Sequence, residues 1–283
     1  LMPILIILIV CISIFCATRP GALAGVKYYL LPDIKHFSAT TVLAAMGQLF
    51  YSMSLAMGIM ITYGSYMKKE DDLRDSVRKI EIFDTVVALL AGLMIVPSVF
   101  AFSGGSKEAL SKGPSLMFVT MPKVFNSMKI GSLIGAGFFI LVLFAALTSA
   151  ISLLETNVSI ICDKLHWSRK KSTVVATLYC LIVGGLISLG YGPLSFIKII
   201  GMNLLDFFDF ISNSVLMPIV AMLTCIFIGY IVKPKTIIDE VELGGKTFKE
   251  KKFYVVMLKY VAPVCLLLIL LFAVSEALGL IKV

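Results

Sequence analysis

Histidine and tryptophan are nearly missing from this chain: 283 residues contain two of the first, His36 and His166, and one of the second. Both histidines lie in polar connections, on opposite sides by the topology derived below, so neither a histidine metal centre nor a nucleophile–histidine triad is available to a membrane enzyme. The six cysteines (Cys11, Cys16, Cys162, Cys180, Cys225, Cys265) include no CxxC pair and sit in or at the ends of apolar runs. They read as small packing residues, with no thiolate metal site or disulfide framework. Charge is scarce as well, at 15% of residues, against 59% hydrophobic residues and a mean hydropathy of +1.00. That balance excludes an ordinary soluble domain. The net charge of +8 has no basic face on a soluble domain to occupy, so it implies no nucleic-acid partner.

What the chain has in abundance is apolar runs of bilayer length. Residues Leu1–Thr18, Ala39–Tyr66, Phe83–Phe102, Ile130–Glu155, Thr173–Gly190, Leu204–Val232 and Phe253–Leu278 each hold roughly the 17 to 25 residues that a helix needs to cross, or somewhat more. The expectation is an all-α polytopic membrane protein with about seven transmembrane helices in the lipid bilayer. No basic leader precedes the first run, which starts at residue 1; it does not read as a signal peptide, and the chain reads as cut at its N-terminus. The loops after the second, fourth and sixth runs carry fifteen Lys and Arg, against nine in the alternate segments. The positive-inside rule makes the first set cytoplasmic and puts the C-terminus outside. The outward connection 103–129 holds Gly104-Gly105, Gly113-Pro114 and an apolar stretch, Ser115 to Phe125, too short to span. It is either a lid over an outward vestibule or a surface amphipathic helix.

Polar residues inside the runs mark where function concentrates, because they are unfavourable in hydrocarbon. The second run has Gln48, Ser52 and Ser54 within seven residues, with Tyr51 and Met57 nearby and Gly47 and Gly58 on either side. Helix-weakening residues and hydroxyls at membrane depth are tolerated where the backbone is buried in protein or lines a cavity, so this stretch predicts a binding site. A lone serine could instead bond its own backbone four residues back, but an amide with two hydroxyls between glycines favours the site. Asp84 opens the third run, with Ile80 and Ile82-Phe83 suggesting that the helix begins earlier; a buried acid needing a cation is expected there. In the fourth run Thr148, Ser149 and Ser152 share one side of a helix, and a freed carbonyl at Ala145 would join them as hard oxygen donors suited to Na⁺. Small hydroxyl residues also serve close helix packing, which is the favoured reading for any one of them alone. Glu155 lies two turns beyond Thr148, as a structural acid or part of a cytoplasmic exit path.

These residues carry a family resemblance. Gly47-Gln48-Leu49-Phe50-Tyr51-Ser52-Met53-Ser54-Leu55 with Thr62-Tyr63-Gly64-Ser65-Tyr66, Asp84-Thr85 with Ala88-Leu89-Leu90-Ala91-Gly92, and Ala146-Leu147-Thr148-Ser149 with Glu155 resemble the bacterial amino-acid branch of the neurotransmitter:sodium symporter family. The resemblance extends from the first run to the last. It implies the second half of a 5+5 inverted-repeat fold: residues 1–18 as part of helix five, 19–232 as helices six to ten with the loop 103–129, and 233–283 as a cytoplasmic loop and helix eleven. Helices one to four would lie outside this sequence, while the C-terminus matches a natural end for that branch.

The resemblance further implies two sodium sites. Ser52 and Asp84 would give oxygens to the first, and Ala145 through its carbonyl, with Thr148 and Ser149, to the second. Tyr51, Ser54, Met57, Ser149 and Leu153 would line a pocket for a small, neutral or hydrophobic amino acid. Gln48 would belong to an outer gate and Tyr66 to an inner one. An outer-gate acid would be Asp206 or Asp209, with Asp206 favoured. Met57 replaces a common aromatic residue and Ala56 a common glycine, which favours substrates of modest size. Ala88 stands where chloride-dependent members have serine, so no chloride requirement is expected, with Asp84 supplying the negative charge. The implied activity is sodium-coupled symport by alternating access across the inner (cytoplasmic) membrane. The alternatives are a non-transporting fragment and a channel, though no repeated pore motif appears.

Overall fold

The computed structural model describes residues 2–32, 37–103, 116–126, 130–243 and 247–279. Their regular structure is helical, apart from a single bridge between Ile199 and Met202. Among the described residues five helices are long and apolar enough to cross a membrane: α5 (Leu73–Ser103), α7 (Gly131–Leu165), α8 (Arg169–Ser188), α9 (Leu204–Val232) and α11 (Lys251–Ala277). Two of the expected seven spans take another form. The first is α1 (Met2–Ala17), which turns by 117° into a short helix, α2 (Ala22–Leu30), in what the sequence presents as a loop. The second is broken into α3 (Ala39–Ser52) and α4 (Ile59–Ser65). Short helices α6 (Met121–Asn126) and α10 (Pro234–Val241) complete the set.

Helix ends differ from the apolar runs for local reasons. Helix α5 begins ten residues before Phe83, because the Asp72 side chain accepts the Asp75 N–H at 3.0 Å and caps a polar first turn. Helix α7 continues ten residues past Glu155: nothing in 156–165 breaks a helix, and Thr156 and Asn157 bond back to the carbonyls of Ser152 and Leu153. Helix α8 starts four residues before Thr173, at Arg169. Of the loop 103–129, residues 104–115 and 127–129 lie outside the described residues, as does His36; 116–126 is helical.

The chain divides into two compact units. One comprises Leu1–His36 and Lys79–Ala150, and its core joins Leu5, Ile9, Ile12 and Cys16 of α1 to Met94 and Val99 of α5, Met121, Val124 and Phe125 of α6, and Phe138 and Leu141 of α7. Phe125 and Phe138 meet at 5.2 Å between ring centroids. Within this apolar core the Ser13 hydroxyl is satisfied by donating to the Leu90 carbonyl at 2.8 Å. The other unit comprises Phe37–Arg78 and Ile151–Val283. Here α9 packs along α11 through buried Met217, Ala221, Leu266, Ile269 and Phe272, and α3 lies against α11. Between α10 and α11, Glu242 accepts from Lys251 Nζ at 2.6 Å and from the Phe248 N–H at 3.0 Å. Those two donors, the Lys251 ammonium foremost, hold its carboxyl below the usual carboxylate range.

Candidate functional site

The break between α3 and α4 is the focal feature of the second unit. The ladder of α3 ends with the Leu55 N–H reaching the Phe50 carbonyl at 3.3 Å and resumes where the Thr62 N–H reaches the Gly58 carbonyl at 2.9 Å. Between these points Ser54, Ala56 and Gly58 take φ values of 54°, 60° and 80°. Only glycine enters that left-handed region without penalty, so Ser54 and Ala56 store strain at the unwound point. Gly58 is required twice over, since a Cβ there would also lie 2.9 Å from Thr156 Cγ2 of α7. Ser52 closes α3, while Ser54 and Met57 lie half-buried in the break itself.

Above the break, a cavity of about 380 Å³ opens between α3, α9 and α11. Gln48, Tyr51, Asp209, Asn213, Ser214 and Glu276 supply its polar lining, and Phe50, Ile269 and Phe272 are among its apolar residues. Asp209 is held by the Asn213 amide, which donates to Oδ1 at 2.6 Å. Asp206, the acid favoured from sequence, is absent from that lining. It belongs to the cap of α9, where its N–H donates to Asn203 Oδ1 at 2.9 Å and its carboxylate accepts from Asn203 Nδ2 at 2.7 Å. The structure therefore brings Gln48 together with Asp209 and not with Asp206. Asn213 and Glu276 went unnoticed in the sequence, although Asn213 is four residues after Asp209, the spacing of helical neighbours.

At the other end of α4, Tyr66 donates to Glu155 Oε1 at 2.6 Å, and Arg169 binds both oxygens of the same carboxylate. Tyr63 donates to Ser152 Oγ at 2.7 Å. The end of α4 is thus tied to α7 and α8 by a charge-assisted network. Glu155, which the sequence leaves between a structural acid and an exit path, is the centre of this lock. Leu153 is exposed on α7, two residues away.

The first unit carries the remaining predicted residues. Asp84 is half-buried, rather than buried, in the interior of α5. Ala145, Thr148 and Ser149 follow one another along α7. The Ala145 carbonyl is not freed by any break: it lies inside the continuous helix and accepts the Thr148 hydroxyl at 2.9 Å. A local back-bond of this kind is the ordinary behaviour of threonine in an apolar helix. Among the described residues no group of three or more His, Cys, Asp or Glu could hold a metal ion. Sodium, by contrast, is held by hydroxyls, carbonyls and a carboxylate, the donor types present here.

A model of the Sodium:neurotransmitter symporter family matches residues 1–280. The chain belongs to that family. It is 35% identical over 274 residues to the uncharacterized sodium-dependent transporter YhdH of Bacillus subtilis (strain 168), an overlap of 96% of this chain and 59% of the relative. It is 29% identical over 270 residues to the sodium- and chloride-dependent glycine transporter 1 of Xenopus laevis, covering 92% of this chain and 41% of the relative. The crystal structure of MhsT in complex with L-phenylalanine is similar at a TM-score of 0.84 and 37% identity, over 96% of this chain and 61% of that one. The chain therefore spans about 60% of the length of YhdH and of MhsT. The fold is that of a multi-pass membrane transporter of the symporter family, and not of an enzyme.

Proposed function

We propose that this chain forms the portion from helix five to helix eleven of a symporter that couples uptake of a neutral or hydrophobic amino acid to Na⁺ entry across the inner (cytoplasmic) membrane, with its C-terminus outside. The observation that carries the reading is the unwound segment Ser54–Gly58, with hydroxyls and left-handed backbone where α3 gives way to α4. An unwound membrane helix offers carbonyls to a cation and N–H groups to a carboxylate, replacing the water that both ligands must leave. MhsT binds L-phenylalanine, and its similarity to this chain supports an amino acid of apolar side chain.

On the family resemblance, Tyr51, Ser54, Met57, Ser149 and Leu153 contact the substrate. Ser52 and Asp84 serve a first sodium, and the Ala145 carbonyl with the Thr148 and Ser149 hydroxyls a second. Gln48 acts in the outer gate with Asp209, the acid that shares its cavity, in place of Asp206. Tyr66 acts in the inner gate through its bond to Glu155. Asp84 supplies the negative charge that makes chloride unnecessary. Substrate and sodium stabilise each other's sites, and that coupling free energy ties uphill uptake to the sodium gradient. Loading then shifts the population from outward-open to inward-open.

The test is amino-acid uptake by the full-length protein in proteoliposomes under an imposed Na⁺ gradient. Uptake should follow Na⁺ and be unaffected when gluconate replaces chloride. Asp84→Ala should shift half-activation to higher Na⁺ by about tenfold, as loss of one charged ligand would. Unchanged sodium activation in that variant would remove Asp84 from the ion site, and uptake without a gradient would favour a channel.

A further inference from the structure

Among the described residues, Lys259 stands well inside a span, while the other basic residues lie in connections or toward helix ends. It stands eight residues after Lys251, the start of α11, about 12 Å along the helix at 1.5 Å per residue. A lysine within an apolar span is disfavoured in hydrocarbon and marks a site unless its head finds a partner. Among the described residues its head meets an aromatic partner: Nζ lies 5.3 Å from the centroid of the Tyr230 ring on α9. The two helices also join through their backbones there, the Tyr230 hydroxyl donating to the Lys259 carbonyl at 3.2 Å.

Both helices widen at this crossing. Residues Phe227–Val232 of α9 and Met257–Val261 of α11 are π-helical turns, the local distortion that recurs at functional sites. Gly229 faces Lys259 at the crossing, where a Cβ would stand in van der Waals contact, 3.4 Å from Lys259 Cγ. Around the crossing, Tyr230 and Tyr260 are exposed at 51% and 62%. Lys252 sits seven residues before Lys259, two turns along the same side of α11, and Lys233 follows Tyr230 by three residues. The neighbouring acids are engaged elsewhere: Glu242 holds Lys251, and Glu250 holds Arg74. Asp239 and Glu240 on α10 form no ion pair with Lys233, Lys252 or Lys259 among the described residues.

We infer that the π-turn crossing of α9 and α11 is a binding site for the phosphate headgroup of an anionic glycerophospholipid in the leaflet on the basic-loop side. Lys259 snorkels toward that leaflet along the face of Tyr230 and meets the phosphodiester, Lys252 and Lys233 close over it from the two helix ends, and the exposed tyrosine rings sit at headgroup level. A lipid fits better than a soluble anion because Lys259 approaches from within the span, with exposed Val264 and Leu267 following it toward the membrane interior, where acyl chains lie.

The site is tested on the full-length protein in nanodiscs of equal phosphatidylglycerol and phosphatidylcholine, released for native mass spectrometry. Retention does not depend on transport or on orientation, so its failure is distinct from failure of the symport reading. Wild type should keep one phosphatidylglycerol in preference to phosphatidylcholine. Lys259→Gln should lower that preference about fivefold, the size of one lysine's attraction to an anionic lipid surface, and the triple change K233Q/K252Q/K259Q about a hundredfold. Lys259→Arg should retain it, which separates loss of charge from loss of fold. Equal retention of the two lipids by wild type overturns the site. So does an equal loss in Lys249→Gln, a loop lysine away from the crossing, since that is diffuse attraction. Competition by millimolar inorganic phosphate as effective as by phosphatidylglycerol would reassign it to a soluble anion.

Discussion

Gly58→Ala puts the unwound segment to a quantitative test. Two separable penalties meet at this position. Alanine at φ 80° adopts the left-handed conformation at about 1 to 2 kcal/mol. Its Cβ would also lie 2.9 Å from Thr156 Cγ2, well inside the roughly 3.5 to 4.0 Å at which carbon atoms pack. The methyl cannot easily turn away, because a β-branched side chain in a helix is held to few rotamers and Thr156 is 4% exposed with its hydroxyl bonded to the Ser152 carbonyl. Overpacking of this kind costs about 1 to 3 kcal/mol, so the substitution should destabilise by about 2 to 5 kcal/mol in all. Thr156→Ser deletes the opposing methyl and keeps the hydroxyl; alone it should lose about 1 kcal/mol. In the double variant G58A/T156S the clash is gone, and only the backbone penalty and the lost methyl remain. A double-mutant cycle on thermal unfolding in detergent should therefore give a favourable coupling of about 1 to 3 kcal/mol. Strict additivity would refute the close approach of the break to α7. A wild-type-like Gly58→Ala would refute the left-handed backbone as well.

Three further outcomes follow from the same geometry. Ala56→Gly, at φ 60°, should relieve strain and raise stability by about 0.5 to 1 kcal/mol, read as a higher unfolding midpoint, while admitting bulkier amino acids in competition uptake assays. Asp209→Asn should impair uptake at least tenfold, whereas Asp206→Asn, in the α9 cap, should mainly lower thermal stability by about 1 kcal/mol; the reverse pattern would return the gate role to Asp206. The Glu242 carboxyl titrates below its unfolded value, so its bonds to Lys251 and Phe248 are fully present above the ordinary carboxylate range and are lost as pH falls through the lowered folded value. Amide exchange at Phe248, measured against a Glu242→Gln control, should speed up only in that acidic window; acceleration already near neutral pH would contradict the pairing.

Membrane class, most span positions and the unwound segment were legible because they rest on properties that survive averaging or stand out locally: long apolar runs, and hydroxyls with glycines at mid-depth. Helix ends were less so, since a hydropathy run ends where polarity begins while a helix ends where its ladder fails; α5 and α7 each carry about ten polar-face residues beyond their runs. The choice between Asp206 and Asp209 needed tertiary structure. Three residues apart on one helix, both are carboxylates at the same end, and only the packing of α9 against α3 and α11 decides which one enters the cavity with Gln48. The Ala145 carbonyl differs from expectation only in not being freed: oxygen-rich neighbours suggested an unpaired donor, but in a continuous helix the nearest hydroxyl, Thr148, turns back on that carbonyl. Lys259 shows what averaging conceals. One lysine barely lowers the hydropathy of a span whose mean is 2.6, and loop counting passes over it. Its significance lies in the Tyr230 ring and the π-helical turn of α9, some thirty residues away in sequence, which meet the π-helical turn of its own helix only once the two helices are paired.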